Sequence, residues 1–326
     1  MNEFLASIIT GINSVVHSYG WSMILFTLLI KLVLMPLDYK SRKSMRRMTN
    51  LKPQLDKLQK KYANDREKLN QKTSELYRRE GINPLSGCLP MLISMVILFI
   101  MWSALRLVAN TAMAQQAIEL ITTGAQTNEG WLWIKNIWMP DSPFSPVIAD
   151  SNSLQLISLN EWLSVFRGLD AATVQALADL GITEANISGE TVFAVLQSIP
   201  LYAQETQLWS TLPSLNLFIV NLSIYANNNG WFILPILSAV TQYLMTLTQP
   251  QTAPADPNGT QAGTNKFMKY FFPLFSLWIC SSYNAMFSLY WVMSNLFGWI
   301  QALAMNKIFE MKEQQAKAAA GEEPVK

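Results

Sequence analysis

The chain has 326 residues, of which 50% are hydrophobic and only 14% are charged, and its formal net charge is +2. Soluble proteins carry roughly 25% charged residues, so much of this chain's surface is predicted to face lipid. Two cysteines and a single histidine exclude a disulfide framework and argue against a zinc site.

Residues 1–19 carry apolar side chains at helical spacing. These are Leu5, Ile8, Ile9, Ile12, Val15 and Val16. The pattern predicts an amphipathic helix lying on the outer membrane interface, with an ordinary packed helix as the alternative. No Lys or Arg precedes the first apolar residues and Glu3 is acidic, so we do not expect a cleavable signal peptide.

Membrane spans are predicted from apolar runs, since crossing the bilayer takes about 20 mainly apolar residues. The run 267–305 is nearly twice that length, so it is predicted to form two helices that turn at the polar break 281–284. The five predicted transmembrane helices are 20–38, 87–109, 230–248, 267–283 and 284–306.

Basic residues predict the orientation of the chain. The segment 39–86 is dense in Lys and Arg, whereas 110–229 contains only Lys135 and Arg167. Cytoplasmic loops are enriched in basic residues, so 39–86 is predicted to be cytoplasmic and 110–229 external. The N-terminus is then outside and the C-terminus is in the cytoplasm.

Between the spans, the patterns predict different kinds of segment. Leu51, Leu55, Leu58 and Tyr62 recur at coiled-coil spacing, and leucines continue after a break at 63–65, which predicts a cytoplasmic helical hairpin.

The external segment 110–229 is predicted to contain a small folded domain. Its Trp131, Trp133 and Trp138 are predicted to join an aromatic belt at the membrane interface. The cytoplasmic loop 249–266, rich in Pro, Gly, Asn, Gln and Thr, is predicted to be flexible. The predicted fold class is therefore an all-α membrane protein with five transmembrane helices, a cytoplasmic helical hairpin and an enlarged external loop domain.

Lys31 is the most informative residue because it lies inside the first predicted span. A charge in mid-membrane costs from about 2.5 to more than 10 kcal/mol, so such residues usually face water or a polar interior. Thr27 lies one turn earlier on the same face, and Gln242, Ser294 and Asn295 are polar residues in other spans. Together they predict a wet cavity; the alternative is a lysine that extends to the cytoplasmic interface.

No acidic residue is expected inside a span, so the charge of Lys31 is predicted to meet water, polar side chains, lipid headgroups or a visiting acidic segment. This argues against a proton relay, which usually uses embedded acidic residues or histidine. Neither a Gly-rich phosphate loop nor a Ser-His-Asp set is present. We therefore expect no enzymatic activity, no cofactor and no metal.

Four sets of short sequence blocks occur in and beside the predicted spans. The blocks are Gly20-Trp21 with 24–31 (ILFTLLIK) and 35–37 (MPL), 51–54 (LKPQ) with Tyr77 and 83–90 (NPLSGCLP), Trp133-Ile134 with 234–237 (LPIL), and Phe272-Pro273 with 290–296 (YWVMSNL). In these blocks the chain resembles the YidC/Oxa1/Alb3 family of membrane insertases, and their order and spacing relative to the predicted spans make the resemblance specific.

The resemblance implies five core helices around a hydrophilic groove that opens to the cytoplasm and to lipid. In the family a positive residue of the first core helix, typically arginine, lies in this groove, and Lys31 matches its position. Lysine keeps the charge but lacks the planar fork that grips carboxylates. The implied client-binding groove is lined by Thr27, Lys31, Gln242, Trp291, Ser294 and Asn295.

Two segments depart from the family pattern. The segment 140–228 resembles an insertion where many relatives have a short connection. The tail 307–326 alternates acidic and basic residues, so it lacks the strongly basic extension by which some relatives hold ribosomes.

The resemblance implies a bacterial membrane protein insertase that moves hydrophobic segments of nascent proteins from the cytoplasm into the bilayer. Its partners are then nascent membrane protein clients and the lipid bilayer, with the Sec translocon and the ribosome as open candidates and no specific nucleic acid. Two alternatives are an anion channel or transporter that uses Lys31, and a structural assembly factor for membrane complexes.

Overall fold

The computed structural model describes residues 2–81, 89–209, 214–217, 220–248 and 260–319. These residues form helices, apart from one short antiparallel β-hairpin and irregular segments. The helices are α1 (Asn2–Val16), α2 (Tyr19–Asn50), α3 (Lys52–Lys61), α4 (Arg66–Arg79), α5 (Leu89–Thr123), α6 (Ser151–Gln155), α7 (Leu159–Arg167), α8 (Ala171–Asp179), α9 (Gly189–Leu196), α10 (Pro200–Leu208), α11 (Ile233–Thr248), α12 (Thr260–Ser282) and α13 (Ala285–Ala319). The hairpin pairs β1 (Ser214–Leu217) with β2 (Val220–Ser223).

The chain divides into two compact units. Unit one comprises Met1–Phe26, Phe99–Ser238 and Ser276–Val292, and unit two comprises Thr27–Leu98, Ala239–Phe275 and Met293–Lys326. The chain passes from one unit to the other five times, and each passage falls within a long helix. The helices concerned are α2, α5, α11, α12 and α13.

Helix α2 exposes large apolar side chains and buries a polar one, the reverse of a typical helix in a soluble protein. Leu32 and Val33 are 55% and 68% exposed, whereas the polar Thr27 is 1% exposed. Large exposed apolar patches require a nonaqueous neighbour, and lipid satisfies this requirement. By length and composition, two helices of the described residues could cross a membrane, α2 and the Met95–Thr123 part of α5. The apolar helix α11 is shorter.

Three long helices, α2, α5 and α13, continue past their predicted ends, and α13 reaches Ala319 where the fifth predicted span ended at 306. The second predicted span was expected to end at 109, but α5 extends to Thr123 and is about 52 Å long at 1.5 Å per residue. It ends where Gly124 adopts a φ of +70°, a left-handed conformation that glycine accommodates without strain. Similarly, α2 continues to Asn50, since its basic continuation after residue 38 keeps good helix-forming residues.

The predicted break in the long apolar run is confirmed. Helix α12 ends at Ser282 and α13 begins at Ala285, and the Asn284 Oδ1 atom accepts a hydrogen bond of 2.9 Å from the amide of Phe287. The Asn284 side chain therefore satisfies a free amide of the first turn, which favours a helix start at this position.

A helical hairpin is present where the leucine spacing predicted one. Asp65 caps α4 by accepting a 3.0 Å hydrogen bond from the amide of Lys68, and α3 and α4 pack through a small apolar core. That core consists of Leu51, Leu55, Leu76 and Tyr77, with Leu58 packed against it. Burial raises the pKa of the Tyr77 phenol above its ordinary value.

The segment predicted to be an external domain contains five short helices and the β-hairpin. The prediction of an aromatic belt is wrong for two of its tryptophans, because Trp131 is 7% exposed and Trp138 is 2% exposed. They are buried by ring contacts: Trp138 lies 4.7 Å from Tyr19, and Trp131 lies 5.7 Å from Trp21, measured between ring centroids. Residues 249–259 of the predicted loop 249–266 and the block 83–88 lie outside the described residues. The prediction of a loop is wrong for residues 260–266, because α12 begins at Thr260.

Candidate functional site

In unit two, α2 and α13 run side by side in the same direction. Asp38 of α2 accepts a 3.4 Å hydrogen bond from Gln301, and further along both helices the Arg46 guanidinium pairs with Glu313 at 2.9 Å. Residue numbers on the two helices therefore increase together along the contact. Between these pairs, the rings of Tyr39 and Phe309 lie 5.2 Å apart, measured between centroids.

The amine of Lys31 lies against a glycine of α13. A Cβ atom at Gly298 would be 3.6 Å from Lys31 Nζ and 3.2 Å from the terminal methyl carbon of Met245. Gly298 itself is buried. The missing side chain at this position therefore leaves room for a lysine ammonium and a flexible thioether from α11 beside the same turn of α13.

Asp38 corrects the expectation that Lys31 has no acidic neighbour. The two residues are seven positions apart on α2, about two turns, so they project from the same helix face. Their charges interact, and the Asp38 carboxylate also interacts with the charge of Arg42, one further turn along. Lys31, Asp38 and Arg42 thus form a stripe of alternating charge, which we call the cationic stripe.

The cationic stripe is only partly neutralised. It holds two positive groups and one carboxylate, and the Nη1 atom of Arg42 is buried without a hydrogen-bond partner among the described residues. Because an unpaired buried donor costs about 1–3 kcal/mol, this nitrogen favours an arriving acceptor such as a carboxylate.

Arg46, the next arginine on α2, differs from Arg42 because its guanidinium has several hydrogen-bond acceptors. Arg46 donates from Nε and Nη2 to the two carboxylate oxygens of Glu313, at 2.9 and 3.0 Å, and from Nη1 to the Asn306 carbonyl at 3.2 Å. Its guanidinium also lies 5.7 Å from the centroid of the Phe309 ring. Arg46 therefore fastens α2 to α13 and is not a free cation.

The predicted groove residues fall into two groups. Thr27, Gln242, Ser294 and Asn295 belong to unit two together with Lys31, whereas Trp291 belongs to unit one. Gln242 lies about one turn before Met245, and Ser294 and Asn295 lie about one turn before Gly298.

Two of these predicted groove side chains hold buried polar atoms. Thr27 is buried and has a partner, and the Nδ2 atom of Asn295 is buried without a hydrogen-bond partner in the described part of the chain. Their joint role in client binding stays a prediction.

Sequence reasoning missed the other members of this site. Asp38 stands at the very end of the predicted span and Arg42 just beyond it, so both were assigned to the boundary or the loop. The signal that would have found them is the spacing of 31, 38 and 42, which places all three on one face of a continuous helix. Gly298 and Met245 carry no charge, so no sequence signal distinguished them.

A second polar cluster, in unit one, was also missed. Asn229 is fully buried; its Nδ2 atom donates to the carbonyls of Asn136, Met139 and Pro140 at 2.8, 3.0 and 2.9 Å. Its Oδ1 atom accepts from the amide of Asn136 at 2.8 Å. Asn136 in turn donates to the Val147 carbonyl at 2.9 Å.

Asp141 completes this cluster. Its buried carboxylate accepts from the amides of Trp231 and Leu234, at 2.9 and 2.7 Å, and from the indole of Trp133 at 3.2 Å. We call Asn136, Asp141 and Asn229 the polar knot. These hydrogen bonds join residues 133–147 to one another and to residues 229–234, most of which precede α11. The polar knot therefore fixes irregular backbone.

Long helices with exposed apolar faces, a half-buried cationic stripe and a lateral contact between parallel helices are typical of a helical membrane protein. The chain matches the family described as 60Kd inner membrane protein over residues 11–177 and 190–314, and it belongs to this family.

Curated relatives agree. The chain is 46% identical over 106 residues to a protein named Membrane protein insertase YidC from Fusobacterium nucleatum, covering 32% of this chain and 52% of that protein. A protein of the same name from Clostridium perfringens is 36% identical over 162 residues, covering 49% of this chain and 60% of that protein. One from Chloroherpeton thalassium is 41% identical over 148 residues, covering 44% of this chain and 23% of that protein. The matches thus span about half or less of the length of most of these relatives.

Proposed function

We propose that the protein is a membrane protein insertase that helps hydrophobic segments of nascent proteins pass from the cytoplasm into the bilayer. The observation that carries the proposal is the cationic stripe, whose side chains are half-buried among helices with apolar outer faces and which holds two cations and one carboxylate. Membership in the 60Kd inner membrane protein family and the names of the relatives support the same function.

The proposed topology has five spans, formed by α2, α5, α11, α12 and α13. All five helices expose large apolar residues, for example Val33, Phe99, Val240, Leu274 and Ile300 at 68%, 57%, 48%, 67% and 51%. The shared direction of α2 and α13 fits spans one and five of an odd-numbered series. With the basic segment 39–86 in the cytoplasm, the N-terminus is outside and the C-terminus inside the bacterial inner membrane.

The mechanism depends on attraction followed by partitioning. The cationic stripe attracts acidic residues of a short hydrophilic client segment and lowers the cost of bringing that segment into the membrane, because a charge that meets a counter-charge is less costly to bury. The apolar helix of the client then moves sideways into lipid, driven by roughly 0.8 kcal/mol for each buried CH₂ group. Neither step requires nucleotide hydrolysis.

The α3–α4 hairpin is proposed to face the cytoplasm and receive clients. Its exposed faces carry basic residues, which suit anionic lipid headgroups or acidic client segments. Contact with the Sec translocon or the ribosome stays a prediction.

The test compares two clients in proteoliposomes, one with an acidic translocated tail and one with the acidic residues replaced by Gln or Asn. We expect Lys31→Ala to lower insertion of the acidic client about tenfold, since one ion contact of about 1.4 kcal/mol sets a tenfold ratio. Lys31→Arg keeps the charge and should retain insertion. Lys40→Ala, which removes an exposed cation of the same helix, is the matched control.

The outcomes separate the alternatives. Equal insertion of both clients by the wild type and by Lys31→Ala would remove the electrostatic mechanism. Anion flux across protein-containing vesicles, abolished by Lys31→Ala, would instead identify a channel or transporter. An assembly factor needs no wet groove, so a cysteine at Thr27 that stays closed to water-soluble thiol reagents would favour that class.

A further inference from the structure

Two leucines at the turn between α6 and α7 are exposed although the turn itself is well ordered by hydrogen bonds. Leu156 is 66% exposed and Leu159 is 58% exposed, whereas Ile157 between them is 4% exposed. Ser158 caps α7 in a reciprocal arrangement with Glu161, so the start of α7 and the direction of Leu159 are fixed. The two leucines therefore form a defined apolar surface, the α6–α7 turn.

Helix α5 holds this turn through a charged side chain. The Nη2 atom of Arg106 donates a 2.9 Å hydrogen bond to the Leu156 carbonyl, and Arg106 is itself exposed. The bond gives a partner to the carbonyl of Leu156, the C-cap residue of α6. An unpaired carbonyl is most costly where no water can reach it.

The surroundings of α5 change near Arg106. Phe99, two turns earlier on the same face, is apolar and 57% exposed, which suits hydrocarbon. Asn110, one turn later, is 4% exposed and donates to both carboxylate oxygens of Glu161, at 3.2 and 3.0 Å. Arg106 thus lies where the neighbours of α5 change from exposed apolar residues to polar protein contacts.

We propose that the α6–α7 turn is a membrane-binding surface, with Leu156 and Leu159 inserted into the outer lipid leaflet and Arg106 at the level of the phosphates. The inference rests on the proposed topology, in which α5 spans the membrane and its C-terminal part projects outside. Arginine beside lipid phosphates and large apolar side chains below them is the usual chemistry of an interfacial anchor.

Lipid is the occupant that the geometry favours over another protein. The apolar surface of the α6–α7 turn adjoins the exposed face of α5 through Arg106, so the same bilayer that covers Phe99 also reaches the turn. Two leucines are a small surface for a stable protein interface, which typically buries about 800 Å² per partner. A guanidinium at the edge of the surface matches the negative charge of phospholipid headgroups.

The experiment measures the depth of single labelled cysteines in vesicles. Leu156→Cys, Leu159→Cys and Leu180→Cys are each made in a chain whose Cys88 and Cys280 are replaced by serine, then labelled with nitrobenzoxadiazole. Leu180 is the matched control because it is also an exposed leucine, 46%, at the C-cap of a helix in the same segment. Vesicles of phosphatidylcholine and phosphatidylglycerol carry either nitroxide-labelled lipid or iodide on both sides.

We expect nitroxide lipid to quench the labels at 156 and 159 at least about twofold more than the label at 180, with the reverse order for iodide. Labels at 156 and 159 that match the label at 180 would overturn the proposal. Labels shielded from both quenchers would also overturn it, since protein would then cover the turn. The measurement does not involve client insertion, so the expected quenching in a protein whose insertion of the acidic client is unchanged by Lys31→Ala would separate failure of the insertase proposal from failure of this one.

Discussion

The polar knot of unit one and the cationic stripe of unit two both contain polar side chains, which are buried in the knot and half-buried in the stripe, and the two clusters differ in how these side chains are paired. In the polar knot, the side chains of Asn136, Asp141 and Asn229 all have hydrogen-bond partners within the protein. In the cationic stripe, one carboxylate serves two cations, and a nitrogen of Arg42 has no hydrogen-bond partner among the described residues.

The difference indicates which polar groups hold the fold and which are proposed to bind a client. A saturated network gains nothing from a visitor and loses much when one member is removed. A stripe with excess charge is costly to maintain and gains free energy when a complementary group arrives. Substitutions in the polar knot should therefore change stability, and substitutions in the stripe should change client selection.

The largest effect is expected for Asn229→Ala. The substitution removes the partner of the Asn136 amide and of the Pro140 carbonyl in a fully buried site, while the Asn136 and Met139 carbonyls keep bonds from the Met139 and Ala285 amides, so the free energy of unfolding should fall by about 4 kcal/mol. Reversible unfolding in mixed detergent micelles, followed by tryptophan fluorescence, measures it.

The control for this substitution is Asn160→Ala, an exposed asparagine of α7, which should change stability by no more than about 0.5 kcal/mol. Insertion activity per folded molecule should be unchanged for Asn229→Ala. A loss of stability no larger than that of the control would show that the polar knot is not a stabilising network.

A smaller effect, on selection, is expected for Asp38→Asn. Removing the resident carboxylate leaves two cations without an acidic neighbour on the stripe, so crosslinking of an acidic client to the protein should rise about threefold or more. The client without acidic residues should be unaffected. Asp56→Asn, at an exposed position of α3, makes the same change in net charge and should leave both clients alone. Equal gains for both variants would mean that only overall charge matters.

A still smaller effect is expected for Gly298→Ala. The new methyl group would lie 3.2 Å from Met245, whose side chain must shift by a few tenths of an ångström, and in ordinary contact with Lys31 Nζ at 3.6 Å, where it takes the space beside the ammonium. Insertion of the acidic client should fall about twofold while stability changes little, because alanine favours the helix by up to about 1 kcal/mol over glycine. Gly11→Ala, where the added methyl meets nothing within 4 Å, is the control. An unchanged rate of insertion of the acidic client by Gly298→Ala would show that Gly298 is not part of the site.

The smallest effect concerns pH and the cap of α8. The side-chain hydroxyl of Thr173 and then backbone amides donate to Asp170, and these bonds lower the pKa of its carboxyl. The charged cap therefore stabilises the fold above the unfolded-state pKa, and this contribution is lost as pH falls through the lowered folded-state pKa. The difference in melting temperature between wild type and Asp170→Ala should shrink from neutral to strongly acidic pH. Thr173→Val should weaken this pH dependence, and a constant difference would contradict the role of the charge.

Sequence reasoning reached the features that depend on local pattern. The α3–α4 hairpin follows from leucine spacing, the break before α13 follows from four polar residues in an apolar run, and Lys31 stands out because charge inside a hydrophobic stretch is rare. All three can be read from a few consecutive turns of the chain.

The remaining features join residues that are far apart in the chain. Asn136 and Asn229 are 93 positions apart and meet through backbone that has no periodic pattern. Trp131 and Trp138 resemble interfacial tryptophans by composition, yet ring packing buries them. The continuation of α5 to Thr123 is accompanied by contacts with the following segment, such as the bond from Asn110 to Glu161, and hydropathy alone does not predict these contacts.

The pairing of Arg46 with Glu313 links positions that are 267 residues apart. Synthesis proceeds from the N-terminus, so α2 is made long before α13. Until α13 is made, Lys31 lacks the turn around Gly298 and Asp38 lacks Gln301. A partly translated chain therefore carries the charges of α2 without the helix that later packs against them.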